Sequence, residues 1–143
     1  MKKIAIFFII TIIIICWISY LYLNFKAEYN MSKRANLEFE KYLNLEIYGT
    51  DLSTVINRAV DNNEKNEVEK NNKGIYLNND KNSINIEVKM IDNDSIYQME
   101  TFYKKGMQNF INYYGNIKFK CTNIEYHGST KRVKYMLFEQ ITS

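Results

Sequence analysis

The hydrophobic pattern opens with one uninterrupted apolar stretch and then changes to the periodic patterns of a folded domain. Residues 4–23 contain no charge, proline or glycine. About 20 apolar residues, at ~1.5 Å rise per residue, cover the ~30 Å hydrocarbon core of a bilayer. The pattern therefore predicts one membrane-spanning helix over residues 4–23, preceded by a short tail at residues 1–3.

Three other interpretations of residues 4–23 are weaker. A cleaved signal peptide has an apolar run of ~7–15 residues and a cleavage site of small residues, whereas this run is longer and its far end is large, from Trp17 to Leu23. A lipoprotein signal places a small residue before the modified cysteine, but Ile15 precedes Cys16. A buried core helix needs more surrounding chain than follows here, because this helix is apolar on every face.

The chain continues without a break signal into residues 24–48, which lack proline and glycine and are rich in helix formers. The pattern predicts an amphipathic extension of the same helix, ended by Gly49. A break near 29–32 is the alternative, because Asn30 and Ser32 are residue types that favour helix N-termini.

Residues 49–143 alternate between helical and strand patterns. A second helix is predicted to begin at Thr50 or Asp51 because apolar residues then recur at helical spacing, at Leu52, Val55, Ile56, Ala59 and Val60. Residues 64–73 are charged, and they predict a solvated loop or a frayed helix end. A short strand at 75–77 and an alternating strand at 84–90 predict a first hairpin, with turns at 78–82 and 92–94.

A third helix is predicted over 99–114, with Gly106 inside its apolar face and Gly115 at its end. Residues 117–126 and 133–141 predict a second hairpin around a turn at 127–131. A change in the parity of the alternation at residues 122–123 indicates a β-bulge. The element order predicts an α+β fold in which two hairpins form a small antiparallel sheet packed by helices.

Charge and cysteine content exclude some functions. The chain has 19 basic and 16 acidic residues, and leaving out Lys2 and Lys3 reduces the basic residues to 17. Without a basic excess in the domain, no nucleic-acid partner is expected. Cys16 lies in the predicted span and Cys121 in the domain, so no intramolecular disulfide is expected. The many asparagines are interpreted as the codon usage of an AT-rich genome.

The sequence predicts no catalytic, cofactor-binding or metal-binding residue and no cofactor. His127 is the single histidine and lies in a turn with Glu125 and Ser129 nearby in sequence. A catalytic base needs an orienting acid and a nucleophile, but neighbours on an exposed hairpin loop are usually not such an arrangement. Asp92, Asn93 and Asp94 resemble the beginning of a calcium loop but lack its later glycine and final glutamate. We therefore expect the protein not to be an enzyme.

The aromatic face of the third helix has two interpretations. Tyr103, Phe110, Tyr113 and Tyr114 follow the spacing of a core-packing face, and they could equally form a platform for a ligand. Tyr113 and Tyr114 are adjacent and cannot both point inwards, so one of them is expected on the surface.

The layout of an apolar N-terminal helix, an amphipathic continuation and a small antiparallel sheet resembles that of type IV pilins and pseudopilins. The resemblance implies apolar helices bundled inside a filament with globular heads outside. The processing motif of that family is absent, because Ile4 and Ala5 follow Lys3 and no acidic residue occurs before Glu28. The segment 49–52 also resembles small membrane-anchored proteins of low-GC Gram-positive bacteria.

These patterns lead to one expectation and one alternative. Lys2 and Lys3 favour a cytoplasmic N-terminus and an extracytoplasmic domain, although Lys26, Lys33 and Arg34 follow the span. We expect a single-pass, membrane-anchored structural or interaction protein of the cell envelope, pilin-like or secretion-associated, that contacts itself or other envelope proteins through its N-terminal helix. The alternative is an anchored module that binds a small ligand or peptide.

Overall fold

The computed structural model describes residues 2–92 and 95–142 and has an α+β fold, as predicted. The elements are helix α1 (Lys2–Glu40), strand β1 (Glu46–Tyr48), helix α2 (Gly49–Lys65), strand β2 (Asn85–Lys89), strand β3 (Ile96–Gln98), helices α3 (Met99–Lys105) and α4 (Met107–Tyr114), and strands β4 (Lys118–Tyr126) and β5 (Val133–Gln140).

Helix α1 is continuous over 39 residues, a length of about 58 Å at 1.5 Å per residue. It passes through residues 29–32 without interruption, so the alternative of a break there is wrong. Its residues up to Met31 are exposed apart from Thr11, which is half-buried. By length and composition this helix is able to span a membrane.

The helix ends at Glu40, eight residues earlier than predicted. The residues after Glu40 form turns, in which Asn44 adopts a positive φ of 60°. Strand β1 then pairs antiparallel with β4. Backbone pairing with the sheet outweighs the helix propensity of residues 41–48, because propensity contributes only tenths of a kcal/mol per residue.

The sheet is mixed, with the strand order β1-β4-β5-β2-β3. The prediction of a purely antiparallel sheet of two hairpins is wrong, since β2 pairs parallel with β5. The predicted strand at 75–77 is also wrong, because Tyr76 makes only an isolated bridge with Lys70. The antiparallel partner of β2 at the edge of the sheet is β3, and not the predicted strand at 75–77.

The predicted third helix is two helices separated at Gly106. This residue has φ 89° and ψ 121°, which ends α3 and begins α4. The apolar faces still meet, because the rings of Phe102 and Phe110 lie 4.8 Å apart.

The final hairpin has the predicted form. Strands β4 and β5 pair antiparallel, and a register shift between Cys121 and Asn123 confirms the β-bulge. Lys131, in the turn, adopts a positive φ of 58°.

The core lies between one face of the sheet and helices α2, α3 and α4. The predicted apolar face of α2 is confirmed, and its five residues from Leu52 to Val60 are at most 1% exposed. They meet fully buried residues of the central strands, namely Ile86, Val88, Phe119, Met136 and Phe138. The side chains on the opposite face of these strands are polar or half-buried and are not covered by these three helices.

Candidate functional site

The joint between α1 and the domain is the first candidate site. Three side chains of α1 are buried, Ser32, Asn36 and Phe39. Their spacing of four and three residues places them on one face of the helix. Phe39 belongs to the hydrophobic core and is 3% exposed, so the last two turns of α1 are packed into the domain.

The side-chain amide of Asn36 fixes this joint to the turn end of the β4–β5 hairpin. Its Nδ2 donates to the carbonyl of Lys131 at 2.8 Å, and its Oδ1 accepts from the backbone N–H of Val133 at 2.8 Å. Asn36 is 8% exposed, and its hydrogen bond with Val133 is buried while that with Lys131 is partly buried. Two hydrogen bonds from one rigid amide fix the direction in which the helix leaves the domain.

The role of Asn36 was not predicted from the sequence, because asparagine is abundant along the whole chain. A usable signal exists in the helical periodicity. Asn36 lies four residues after Ser32 and three before Phe39, which places a polar amide on the face of the helix that carries the phenylalanine. An amide on a face that packs against a domain needs a hydrogen-bond partner.

A cleft on the uncovered face of the sheet is the second candidate site. It has a volume of about 580 Å³ and a mainly polar lining of strand residues and of the loop at 71–78. The hydroxyl of Tyr135 donates to Glu87 Oε2 at 2.8 Å. Burial, together with the hydrogen bond to Glu87 and its negative charge, raises the pKa of Tyr135. The phenol therefore stays protonated and orients the Glu87 carboxylate in the cleft.

A buried carboxylate supports one wall of this cleft. Glu100 is 6% exposed, and its Oε1 accepts a hydrogen bond from the backbone N–H of Tyr76 at 3.0 Å. The loop that carries Tyr76 is thereby attached to α3. The amide, carboxylate and phenol groups of the lining can hydrogen-bond a polar ligand.

An aromatic groove at the break between α3 and α4 is the third candidate site. It has a volume of about 500 Å³ and its polar groups include Lys105 and Asn109. Its aromatic lining residues are Tyr97, Phe102, Phe110, Tyr113 and Tyr114.

The two interpretations of this aromatic face apply to different residues. Phe110 is 4% exposed and packs into the core, and Tyr114 is half-buried against it. Tyr113 is 78% exposed and Tyr103 is 43% exposed. The prediction that Tyr113 and Tyr114 do not both point inwards is therefore confirmed.

His127 is part of the turn structure. It is 2% exposed, and its Nε2 lies 2.8 Å from the carbonyl of Ser83. The neighbouring hydroxyls bind the backbone of another loop, since Ser129 donates to the carbonyl of Asp80 and Thr130 to that of Lys81. These contacts join the β4–β5 turn to the loop at 79–82.

The remaining candidate groups do not converge on a reactive centre. Both cysteines are free thiols, and burial raises the pKa of Cys121 to about 11. Among the described residues, no group of three His, Cys, Asp or Glu side chains is placed to hold a metal ion. The possible calcium loop is only partly described, because Asn93 and Asp94 lie outside the described residues.

Comparison with known proteins gives no family for this fold. No family model matches the chain, and no curated protein or solved structure is significantly similar to it.

Proposed function

We propose that this protein is a single-pass, membrane-anchored interaction protein of the cell envelope, whose domain acts by contact with other proteins. The observation that carries this proposal is the joint at Asn36. It fixes the domain directly to the end of a continuous helix whose other end is apolar and exposed.

A rigid connection is more useful for assembly than for tethering. A protein that needs only to stay near a membrane can use a flexible linker. Here the nine helical residues from Asn24 to Ser32 hold the domain at a fixed distance of about 14 Å and in a fixed direction. Neighbouring copies or other envelope proteins that pack along the helix would therefore present their domains in register, as in the pilin-like layout.

We propose that the domain lies outside the cytoplasm. Lys2 and Lys3 precede the apolar span, and such residues favour the cytoplasmic side. The aromatic residues Trp17, Tyr20 and Tyr22 lie toward the other end of the span, where such side chains favour the interface.

Membrane extraction and site-specific labelling test anchoring and orientation. Full-length protein should stay with the membrane in alkaline carbonate, and release into the soluble fraction would refute the anchor. Cys121 cannot report orientation because it is fully buried. An Asn116→Cys substitution in a Cys16→Ala background provides an exposed thiol. An impermeant maleimide should label it in intact cells, and labelling only after lysis would refute the extracytoplasmic domain.

Crosslinking tests the interaction role. A photoreactive residue placed at exposed positions such as Ile12 or Tyr29 of α1 should give discrete adducts in native membranes. The matched control is the same residue at Asn72, on a loop far from α1 in sequence. Only monomer at every α1 position would contradict the proposal.

The cleft at Tyr135 supports the alternative of an anchored binding module. Its oriented carboxylate, Glu87, and its amide groups suit a polar ligand. Ligand screening by thermal shift should find compounds that stabilise the native protein and lose this effect in Glu87→Gln. A ligand that stabilises both proteins equally would exclude binding at this cleft.

A further inference from the structure

We infer that the end of the domain nearest the membrane binds the anionic headgroups of the bilayer that α1 crosses. This inference rests on the proposed function, because it requires α1 to be a membrane anchor. It adds a second contact with the membrane, made by the domain itself.

The contacts of α1 determine which end of the domain faces the membrane. Leu43, just beyond the helix, forms a bridge with Cys121 in the first half of β4. Asn36, nearer the membrane, binds the backbone of Lys131 and Val133 at the other end of the hairpin. The β4–β5 hairpin therefore runs beside the chain from 43 to 36 with its turn directed toward the N-terminal, membrane end of α1.

Two other segments lie at the same end because they are hydrogen-bonded to this turn or to one another. The loop at 79–82 accepts hydrogen bonds from Ser129 and Thr130. The C-terminal end of α2 is attached to both segments by Asn62. Its Oδ1 accepts a hydrogen bond from the Arg132 guanidinium at 3.2 Å, and its Nδ2 donates to the carbonyl of Asn82 at 2.9 Å. We call the turn at 127–132, the loop at 79–82, residues 61–67 and the adjoining helix residues 32–36 the membrane-facing end.

The membrane-facing end has more basic than acidic residues, whereas the rest of the chain after Lys3 does not. Its six basic residues are Lys33, Arg34, Lys65, Lys81, Lys131 and Arg132, and its four acidic residues are Asp61, Glu64, Glu67 and Asp80. Of the charged residues that follow Lys3, the remainder of the chain then holds eleven basic and twelve acidic ones. Five of the six basic side chains are exposed, and Arg132 is half-buried. A positive end on an otherwise slightly negative chain complements an anionic surface.

The length of the helix brings this end within electrostatic reach of the membrane. Asn36 lies about 20 Å beyond Leu23 along α1, and the headgroup layer occupies the first ~5–8 Å of that distance. The turn projects from Asn36 back toward the bilayer, and lysine side chains extend further. The remaining gap is comparable to the Debye length of ~8–10 Å at physiological salt. The exposed helical segment between the predicted span and the membrane-facing end, residues 24–31, has no net charge, because Lys26 and Glu28 balance each other.

The backbone conformation of Lys131 supports a role for its side-chain charge in contact with the headgroups. It has φ 58° at the turn, a conformation that glycine or asparagine adopts with less strain. Folding of the turn alone would favour one of those residues. Its side chain is exposed at the membrane-facing end, where a cation would be directed at the headgroups.

A fluorescent probe on the full-length protein in vesicles tests the inference. Gly128→Cys in a Cys16→Ala background places a thiol in open space at the turn, and Asn116→Cys provides a control before β4, at the far end of the hairpin. Each labelled protein is reconstituted into vesicles of phosphatidylcholine alone, or of equal parts phosphatidylcholine and phosphatidylglycerol, that contain a headgroup-labelled quencher. Quenching at 128 should increase strongly with phosphatidylglycerol, and quenching at 116 should not.

Salt and charge substitutions then identify the cause. Raising NaCl to about 1 M, where the Debye length falls to about 3 Å, should abolish the increase. Each lysine near an anionic surface strengthens binding by roughly fivefold, so the combined change Lys65→Gln, Lys81→Gln and Lys131→Gln should weaken the association by about a hundredfold. The matched control removes equal charge elsewhere, at Lys105, Lys118 and Lys120.

Three outcomes decide between the claims. Loss of the lipid-dependent quenching in the first triple variant but not in the control supports the inference. Equal quenching in neutral and anionic vesicles, or equal effects of both triple variants, overturns it while the anchor stays intact. Release of the protein by alkaline carbonate overturns the anchor as well, so the two failures are distinguishable.

Discussion

At the scale of single residues, the side chain that connects the two parts of the molecule is a buried amide. Asn36 is polar on a helix face that also carries Phe39, and this pairing is stable because both amide atoms are hydrogen-bonded. A buried polar group contributes stability only while its partners are satisfied. The joint is therefore sensitive to substitutions that leave the backbone of Lys131 or Val133 without a partner.

Replacing Asn36 by alanine should destabilise the domain by about 2–4 kcal/mol. The substitution removes two hydrogen bonds. It leaves the buried N–H of Val133 unpaired, at roughly 1–3 kcal/mol, and the partly buried carbonyl of Lys131 unpaired, at about the lower end of that range. Denaturant unfolding of the full chain in detergent, followed by near-ultraviolet circular dichroism of the tyrosines, measures the loss. Leu37→Ala is the control, because Leu37 is 59% exposed and its loss should change stability by less than about 0.5 kcal/mol.

Cys121 should make stability depend on pH in the alkaline range. Burial raises its pKa from 9.0 to about 11, so the unfolded state releases this proton at a lower pH than the folded state. The stability that the neutral thiol contributes to the folded state is fully present below pH 9.0, and it is lost as the pH rises through about 11. Unfolding free energies of wild type and Cys121→Ala should therefore converge between these values. Parallel curves would contradict the shifted pKa.

At the scale of secondary-structure elements, local patterns predicted most elements but not their partners. The apolar span, the face of α2, the alternation of β2 and the bulged final hairpin all follow from the spacing of buried residues. The parallel pairing of β2 with β5 could not be predicted, because alternation specifies which face is buried and not which strand lies beside it. Strand β1 was missed because residues 46–48 have a helix-compatible composition, and pairing with β4 decides their conformation.

The break between α3 and α4 depends on Gly106. Its backbone, at φ 89° and ψ 121°, lies in a region that a residue with a Cβ occupies only with strain of about 1–3 kcal/mol. Gly106→Ala should destabilise the protein by this amount and alter the aromatic groove around Phe110. Gly128→Ala is the matched control, since an added Cβ there meets nothing within 4 Å. Denaturation midpoints of the two variants that agree with each other would contradict the role of Gly106.

At the scale of the whole molecule, three features act together: an apolar helix, a rigid joint and an unevenly charged domain. The candidate sites could not be located from sequence, because the cleft at Tyr135 and the membrane-facing end both join segments that are far apart in the chain. Glu87 and Tyr135 lie 48 residues apart, and Asn36 and Val133 lie 97 residues apart. Only the tertiary structure shows that α1 is hydrogen-bonded to the turn end of the β4–β5 hairpin.

A rigid helix makes the angular position of the domain a function of helix length. Each inserted residue rotates the domain by about 100° and raises it by about 1.5 Å, since the helix has 3.6 residues per turn. Insertion of two alanines between Ala27 and Glu28 should turn the domain by about 200° relative to the apolar N-terminal part of α1. Contacts made by domains of neighbouring copies, when the helices are held together, should then be lost.

Insertion of seven alanines at the same place should restore these contacts. It rotates the domain by about two full turns and leaves it within about 20° of its original direction, and every copy is raised equally. Crosslinking between domain residues in native membranes, compared across insertions of zero to seven alanines, measures this dependence. Yields that follow a period near 3.6 residues indicate that the helix transmits a fixed orientation. Yields that decline smoothly with insertion length would show a flexible connection, and the domain would then be tethered and not positioned.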